Sequence, residues 1–244
     1  MISVIIPLYN HALELDKALL SLAEQTFRDF EVIIVDDGSR DNPRETFLSW
    51  KAKYKKEGIA FRFIGHEKNL GAPAARNTGF RASVGEFLFF CDADAVLERA
   101  ALERLYKTLK KEEDAAYAYP NFYWGRKLFC PGRFSAEKLK SCPFIHTTAL
   151  IRREAMPRRG WDESVKKFQD WDLWLAMLSA GKKGVWVDEV LFKIRPGGTM
   201  SAWLPSFAYR LLPFLPAVKR YKKALRVIKE KHGLTPHPHP LSRS

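Results

Sequence analysis

The sequence is poor in cysteine and has no long uninterrupted apolar run. Its three cysteines, Cys91, Cys130 and Cys142, are an odd number without CxxC spacing, which argues against a disulfide framework or a zinc site and suits a reducing cytosol. No window holds about 18 uninterrupted apolar residues, so we expect no spanning helix. The N-terminus lacks the basic region and long apolar core of a signal peptide. These absences predict a cytoplasmic protein, and a hydrophobic content of 46% with seven tryptophans and seventeen phenylalanines predicts a folded one.

Acidic residues are fewer than basic ones, and the difference is concentrated near the C-terminus. The chain has 41 Lys and Arg against 28 Asp and Glu, a formal net charge of +13. Nine of the basic residues but a single acid follow Met200. Because the charge belongs mainly to one segment, and no helix-turn-helix, RRM or zinc pattern is present, we expect no nucleic-acid binding.

Short apolar runs alternate with helical patterns in the first half of the chain. The apolar runs predict strands at residues 3–6, 30–35, 61–64 and 86–91, and the first of these strands ends at Pro7. The helical spacing predicts helices at residues 12–25, around the stripe Phe47, Trp50 and Tyr54 with an end near Gly58, and at residues 71–82. Such alternation predicts an α/β fold with a mostly parallel sheet flanked by helices. Ligands bind beyond the carboxyl ends of the strands in such sheets.

The second half is less regular. Residues 100–111 and 170–180 are predicted helices, residues 144–152 a strand and residues 185–194 one or two strands, whereas the aromatic-rich residues 117–134 have no assignable period. We expect one catalytic domain over residues 1–200 and a separate C-terminal segment, 201–244. Gly197 and Gly198 lie in a predicted flexible loop, which we interpret as a lid that excludes water.

Two acids directly follow the buried run 86–91. Asp92 and Asp94 point to the same side if strand geometry continues, because side chains alternate with a period of two. Ionised acids resist burial, and a hard cation such as Mn²⁺ or Mg²⁺, held by carboxylates and substrate phosphates, relieves their repulsion. The alternative is a solvated loop with an Asp as a helix N-cap.

Asp36 and Asp37 form a second junction of strand and acids, and Gly38 permits a tight turn there. An acid at this place can accept a hydrogen bond from a base or a ribose, or it can close an Asx turn. Residues 69–79 are small apart from Arg76, which can neutralise a diphosphate or lie solvated on a core helix.

Acids also open the predicted helix 170–180. Asp170 can act as a general base at a cleft, or Asp170 or Asp172 can be an N-cap. His146, in an apolar predicted strand, is interpreted as a hydrogen-bonded core histidine rather than a ligand.

Together these motifs resemble the family 2 glycosyltransferases of the GT-A fold. The matching segments run in order at residues 4–10, 21–27, 31–39, 69–79, 92–94, 160–163 and 170–174. The resemblance implies an inverting glycosyltransferase of the hexosyltransferase type that uses a nucleotide-sugar donor. It implies a nucleotide pocket lined by Pro7, Tyr9, Asp37 and Arg76, with Asp92 beside the ribose or metal, Asp94 on the Mn²⁺ or Mg²⁺ ion, and Asp170 as the base.

The chain departs from the family pattern in two ways. Gln169 stands where the family usually has an acid before the catalytic Asp, and the Gln-x-x-Arg-Trp motif and membrane helices of processive members are absent. The resemblance therefore implies addition of one sugar or a few. The expected donor is a UDP-sugar by default, with GDP- and dTDP-sugars open, and the expected acceptor is a hydroxyl of a glycan or lipid-linked molecule in cell-surface polysaccharide or glycoconjugate synthesis.

Two alternative functions are consistent with parts of the sequence. A sugar-nucleotide nucleotidyltransferase normally needs a Gly-rich, basic loop after the first strand, where this chain has Leu8, Tyr9, Asn10 and His11. A non-catalytic module that binds nucleotide sugars or nucleic acid is the other alternative.

The C-terminal segment combines apolar, aromatic residues from Trp203 to Leu215 with basic residues from Lys219 to Lys231. It is typical of a peripheral anchor on an anionic cytoplasmic leaflet, at about 1 kcal/mol per basic residue near the surface. The alternative is a helix that packs on the body with a solvated basic face. His232, His237 and His239 fall in an end expected to be disordered and without a metal role.

Overall fold

The structure is a computed structural model that describes residues 1–53, 59–195 and 214–234. Its strands are β1 (Ile2–Leu8), β2 (Phe30–Asp36), β3 (Ala60–Gly65), β4 (Phe87–Phe90), β5 (Ala95–Leu97), β6 (Ala115–Trp124), β7 (Lys127–Phe129), β8 (Leu150–Arg152) and β9 (Lys183–Ile194). Its helices are α1 (Ala12–Ala23), α2 (Pro43–Lys53), α3 (Ala72–Ala82), α4 (Ala101–Lys111), α5 (Ala136–Ser141), α6 (Gln169–Ser179) and α7 (Pro216–Lys231).

The strands form one mixed sheet in the order β3-β2-β1-β4-β8-β6-β9-β5, with β7 paired to β6. Strands β3, β2, β1 and β4 are parallel neighbours. Strand β8 is antiparallel to both β4 and β6 and so joins the parallel half to the rest of the sheet. The predicted α/β fold, a mixed sheet flanked by helices, is confirmed.

Alternating side chains of the central strands enter the cores on the two faces of the sheet. On β1, Val4 and Ile6 pack with α1, α2 and α4, whereas Ile5 packs in the core that contains the tryptophans of α6. This explains why β1 and β2 are continuous apolar runs, since a strand covered on both faces has no solvent side. A Cβ at Gly79 would overlap the Ile5 side chain, so α3 lies close against β1.

Strand β1 does not end at Pro7 as predicted but continues to Leu8, with Pro7 opposite Val35 of β2. The carbonyl of Ile5 accepts a hydrogen bond from the Cys91 N–H on the β4 side. Because backbone groups alternate in direction along a strand, the backbone nitrogen of Pro7 also faces the β4 side. It lies beyond the position of Phe90, where β4 has ended. No ladder hydrogen bond is therefore lost to the missing N–H of Pro7.

The predicted strand 144–152 is largely wrong, because only Leu150–Arg152 is strand. The Thr148 N–H donates to Nδ1 of His146 at 3.0 Å, and the Ala149 N–H donates to the Thr147 carbonyl. These local hydrogen bonds replace ladder pairing, so His146 lies in a loop.

The unassigned residues 117–134 contain most of β6, the two-residue turn Gly125-Arg126 and β7. Gly125 has φ 59°, as such hairpin turns require. The interior Pro120 of β6 obscured the strand in the sequence. It is tolerated because the pairing of β6 with β9 is irregular between Pro120 and Asn121.

The C-terminal helix α7 packs on the body through Ile228 and Leu225, and Val218 is also buried, as the second interpretation of the tail expects. His232 follows α7 and is enclosed, with 8% of its side chain exposed, so its assignment to a disordered end is wrong. No described helix is long and apolar enough to cross a membrane. The predicted lid at 196–199, the helix end near Gly58, the aromatic segment before residue 214, His237 and His239 lie outside the described residues.

Candidate active site

The two acids after β4 lie in a turn rather than on a continuing strand. Strand β4 ends at Phe90, and the Asp92 carbonyl accepts a hydrogen bond from the Ala95 N–H at 3.0 Å. The premise that strand alternation puts Asp92 and Asp94 on one side is therefore wrong. Burial, and secondarily the charge of Asp92, raises the pKa of Asp94 to about 6. The two carboxylates are close enough to repel each other.

These acids suit a divalent cation that is completed by other ligands. Within the described ranges no group of three or more His, Cys, Asp or Glu side chains is arranged to hold a metal ion. Mg²⁺ usually binds proteins through one or two carboxylates, with water and substrate phosphates as the remaining ligands. Asp92 and Asp94 match that donor set, and a cation would relieve the repulsion that raises the pKa of Asp94.

Arg76 of α3 links the acid turn to the start of α6. Its Nη2 donates to Oδ1 of Asp92 at 3.0 Å, and its Nη1 donates to Oε1 of Gln169 at 2.9 Å. The guanidinium lies 4.7 Å from the ring centroid of Trp161, within the range of a cation–π contact. Arg76 is 6% exposed, so its buried charge depends on these partners.

His146 lies beside Asp92, with 3.9 Å between its Nε2 and Oδ2 of the acid. Its ring packs against Phe122 and Phe192, with centroids 5.0 and 5.4 Å away. Burial lowers the pKa of His146, although the carboxylates of Asp92 and Asp170 act in the opposite direction. The expected core histidine is thus enclosed, but it also contacts the candidate site.

Asp170 lies in the first turn of α6 and accepts a hydrogen bond from the Trp171 N–H at 2.8 Å. Burial raises the pKa of Asp170 above its ordinary value, while His146, the Trp171 N–H and Arg76 oppose the rise. A carboxylate with a raised pKa is a stronger base at neutral pH. Neither Asp170 nor Asp172 is the N-cap, because Phe168 occupies that position without a side-chain cap.

We call Arg76, Asp92, His146, Gln169 and Asp170 the central cluster. Its members come from α3, the turn after β4, the loop before β8 and the start of α6. Hydrogen bonds or electrostatic interactions connect every member to at least one other. Because Arg76 bonds both Asp92 and Gln169, the start of α6, which carries Asp170, lies beside the acid turn. The sequence pointed to Asp92, Arg76 and Asp170 but missed His146, whose only signal was a polar ring in an apolar stretch.

Asp37 is almost fully enclosed, with 2% exposed. It accepts hydrogen bonds from the N–H groups of Leu70 and Gly71 at 2.9 and 2.7 Å, and lies 2.8 Å from Nδ1 of His66. In this structure Asp37 thus fixes the segment that leads into α3. The loop and α3 together set the position of Arg76.

The neighbouring residues of this edge form tight turns. Asp36 accepts a hydrogen bond from the Ser39 N–H at 3.0 Å, the local turn that the alternative interpretation expects. Gly38 has φ 72°, and a Cβ there would come within 2.6 Å of the Lys68 backbone. Pro7 is the penultimate residue of β1 and lies near the same edge of the sheet, and Tyr9, which is 36% exposed, follows β1. The carboxyl ends of β1 and β2 therefore place Pro7, Tyr9 and Asp37 at one edge of the sheet.

Solved structures with the same fold bind nucleotide sugars. The structure of S. aureus TarS 1–349 in complex with UDP-GlcNAc has a TM-score of 0.71 at 20% identity, covering 94% of this chain and 66% of that one. The mannosyltransferase PcManGT from Pyrobaculum calidifontis, in complex with GDP-Man and Mn²⁺, has a TM-score of 0.69 at 22% identity, covering 96% and 69%. These similarities assign the GT-A class of fold to this chain.

The sequence comparisons identify the family. A model described as glycosyl transferase family 2 matches residues 3–160, and the chain belongs to this family. An uncharacterized glycosyltransferase of Rickettsia felis is 26% identical over 218 residues, which span 85% of this chain but 35% of the relative. The chain thus carries a glycosyltransferase domain and spans about a third of that relative. This result favours the glycosyltransferase interpretation over a nucleotidyltransferase or a nucleic-acid binder.

Proposed function

We propose that this chain transfers a sugar from a nucleotide-diphosphate donor to an acceptor hydroxyl, with inversion at the anomeric carbon. The observation that carries the proposal is the convergence of the acid turn and Asp170 on Arg76 and His146. An inverting transfer needs a place for a leaving diphosphate and one base for the incoming hydroxyl. The central cluster offers both within one set of interacting side chains.

The donor is proposed to bind at the carboxyl edge of β1 and β2. Pro7 and Tyr9 are candidates to contact the nucleotide, and Asp92 is a candidate for its ribose. Asp37 and Arg76 already hold protein partners, so we propose that they shape the pocket at least as much as they touch the donor. A UDP-sugar is the first candidate, and the GDP-Man bound to PcManGT keeps a GDP-sugar open.

Asp94 is proposed to hold a divalent cation, Mn²⁺ or Mg²⁺, with Asp92 beside it. Such an ion supplies Lewis-acid stabilisation of the charge on a leaving diphosphate. The Mn²⁺ in PcManGT supports this choice. The contribution of the chain is a turn that keeps two carboxylates near each other despite their repulsion.

Asp170 is proposed to accept the proton of the acceptor hydroxyl as the new glycosidic bond forms. Arg76 and His146 lie close enough to influence its charge. Gln169 bonds Arg76 through an amide oxygen. It therefore leaves the positive charge of Arg76 facing Asp92 and Asp170, where an acid at position 169 would neutralise part of it.

A donor screen tests the proposal directly. Because only a ligand that binds the native state raises its stability, one nucleotide sugar should raise Tm in the presence of Mn²⁺, and EDTA should remove much of the shift. Asp94→Ala should lose both the metal-dependent shift and transfer. Full transfer activity in EDTA would contradict the metal assignment.

We further propose that the exposed face of α7 rests on an anionic membrane surface and brings the site to a lipid-linked acceptor. The buried face of α7 contains Val218 and Ile228, whereas its exposed basic residues lie on another face of the helix. That basic face consists of Lys219, Arg220, Lys222, Lys223 and Arg226. A cytoplasmic leaflet is the proposed location, because anionic lipids attract such a cluster.

The membrane proposal is tested in the full chain, since removing α7 would also expose the core. Lys222→Glu combined with Lys223→Glu should weaken cosedimentation with vesicles that contain phosphatidylserine. Lys107→Glu, on the distant helix α4, is the control and should leave it unchanged. Equal binding of all variants would show that the basic face is simply solvated.

A further inference from the structure

A second charged cluster lies at the junction of α7 with the body. We call Asp162, Asp172, Lys231 and His232 the C-terminal clamp. Nζ of Lys231 lies 2.6 Å from Oδ2 of Asp162 and 2.6 Å from Oδ1 of Asp172. Nε2 of His232 lies 2.7 Å from Oδ1 of Asp172. One lysine thus joins two acids that are ten positions apart in the chain.

The clamp is largely removed from solvent. The exposed fractions of the side chains are 5% for Asp172, 8% for His232, 19% for Asp162 and 24% for Lys231. Burial alone would raise the pKa of Asp172, but the bonds from His232 and Lys231 outweigh it and lower the value. Lys231, followed by Ser164, lowers the pKa of Asp162. Removing one member would leave a poorly solvated charge without its partner.

Both acids of the clamp belong to segments that also carry central-cluster contacts. Asp172 lies one turn into α6, two residues after Asp170. Asp162 follows Trp161, whose ring contacts Arg76. Asn77, next to Arg76, exchanges hydrogen bonds with the backbone of Trp161 at 2.9 and 2.8 Å. The clamp therefore ties α7 to the two segments that flank Arg76 and Asp170.

The start of α6 benefits from such support because its N-cap residue supplies no side-chain hydrogen bond. Its N-cap, Phe168, adopts the left-handed conformation with φ 59° and makes no side-chain cap hydrogen bond. First-turn N–H groups without a cap depend on other contacts for their position. The ring of Phe168 packs edge-on against Tyr221 of α7, with centroids 5.2 Å apart. Helix α7 thus contacts α6 both before and after Asp170.

We propose that Lys231 and His232 are positioning residues, which hold the first turn of α6 so that Asp170 meets the acceptor hydroxyl. This inference rests on the proposed function. It assigns the end of α7 a part in turnover, separate from contact between its basic face and lipid. Neither residue touches the central cluster, so their effect passes through the backbone of α6.

The test compares Lys231→Met with Lys231→Arg in the full chain. Lys107→Met is the matched control, because Lys107 also forms a 2.6 Å ion pair, with Glu103, but on α4 and in solvent. Displacing a base by a fraction of an ångström costs catalysis more than donor binding, so Lys231→Met should lower kcat at least about tenfold. Donor KM should stay near the wild-type value, and Lys231→Arg should restore most of the rate. If Lys231→Met does not fold, His232→Gln, which keeps both lysine ion pairs, replaces it in the same comparison with the same expected result.

Hydrogen exchange of the α6 amides separates this inference from the proposed function. Faster exchange around residues 168–172 in Lys231→Met, absent in Lys107→Met, supports the clamp even if the wild type transfers no sugar and the proposed function is wrong. Unchanged exchange overturns it. An unchanged kcat in a folded Lys231→Met enzyme, or a parallel loss of donor binding, also overturns it.

Discussion

The site around the central cluster and the C-terminal clamp both contain acids that are largely removed from solvent, but the pKa values of these acids shift in opposite directions. In the clamp, Asp162 and Asp172 each gain a cationic or hydrogen-bonding partner, and their pKa values fall. At the acid turn and the start of α6, burial raises the pKa values of Asp94 and Asp170. Acids with lowered pKa values stabilise a folded state at neutral pH, whereas acids with raised ones oppose it and are typical of functional sites.

Helix α6 shows the contrast within two residues. Burial raises the pKa of Asp170, the charge of Asp92 adds to the rise, and His146, the Trp171 N–H and Arg76 compensate only in part. Asp172 reaches Lys231 and His232 instead. The same residue type on the same helix thus has a proposed catalytic part at one position and a stabilising part at the other. The environment, rather than the residue type, makes the difference.

The largest expected effect belongs to Asp170→Asn. The amide is nearly isosteric but cannot take a proton, so kcat should fall by about a thousandfold while donor affinity persists. Steady-state transfer together with donor titration measures both quantities. Thermal stability should not fall, since an acid with a raised pKa is being removed. Normal turnover in this variant would place the base elsewhere.

Asp172→Asn should mainly reduce stability, and because Asp172 anchors Lys231 and His232 it should lower kcat as well, but far less than Asp170→Asn does. Breaking a mostly buried ion pair should lower the free energy of unfolding by about 3 kcal/mol at pH 7, measured by urea unfolding. A lowered folded pKa stabilises the fold above the unfolded value and loses that effect as pH falls through the folded one. The wild-type advantage should therefore vanish on strong acidification. An advantage independent of pH would contradict the electrostatic explanation.

Asp94→Asn should raise stability modestly in the absence of metal. Because the pKa of Asp94 is about 6 in the folded protein, the folded protein keeps a proton on Asp94 between about pH 4 and 6, where the unfolded chain has already lost it. Wild-type stability should therefore fall as pH rises toward 6, and the variant should avoid that loss, by up to about 3 kcal/mol at pH 7.5. Thermal unfolding in EDTA across pH 4–8 measures it. A destabilised variant at pH 7.5 would refute the raised pKa.

Gln169→Glu should have the smallest effect. A glutamate would pair with Arg76 in place of the present amide contact and add a negative charge near Asp170. A like charge raises the pKa of a neighbouring acid, so the acidic limb of the kcat profile should move up by about one pH unit. An unchanged limb would show that Gln169 does not influence the base. Gln169→Asn, without a charge, is the control.

Local patterns in the sequence predicted the parallel half of the sheet well. Buried runs such as those of β1 and β2 leave no ambiguity, because both faces are covered. Strand β6 was missed because its interior Pro120 is normally excluded from central strands, and the irregular pairing that admits it depends on β9. The strand proposed around His146 was wrong because local hydrogen bonds closed a loop instead.

In the candidate site, too, some residues could be predicted from local sequence patterns and others could not. The residues at strand ends were visible in the sequence, because a polar group after an apolar run marks the ligand edge of a parallel sheet. The pairing of Arg76 with Gln169 joins residues 93 positions apart, and that of Lys231 with Asp172 joins residues 59 apart. No local pattern encodes such contacts. The clamp was therefore hidden in what looked like a basic, disordered end.

Carboxyl ¹³C NMR titration of the four aspartates tests the contrast most directly. In metal-free protein, Asp94 should titrate near 6 and Asp170 above the ordinary aspartate range, while Asp162 and Asp172 should titrate below it. Substitution of each residue by Asn would assign the signals. If all four titrated together in the ordinary range, the distinction between an acid cluster held for chemistry and one held for stability would be wrong.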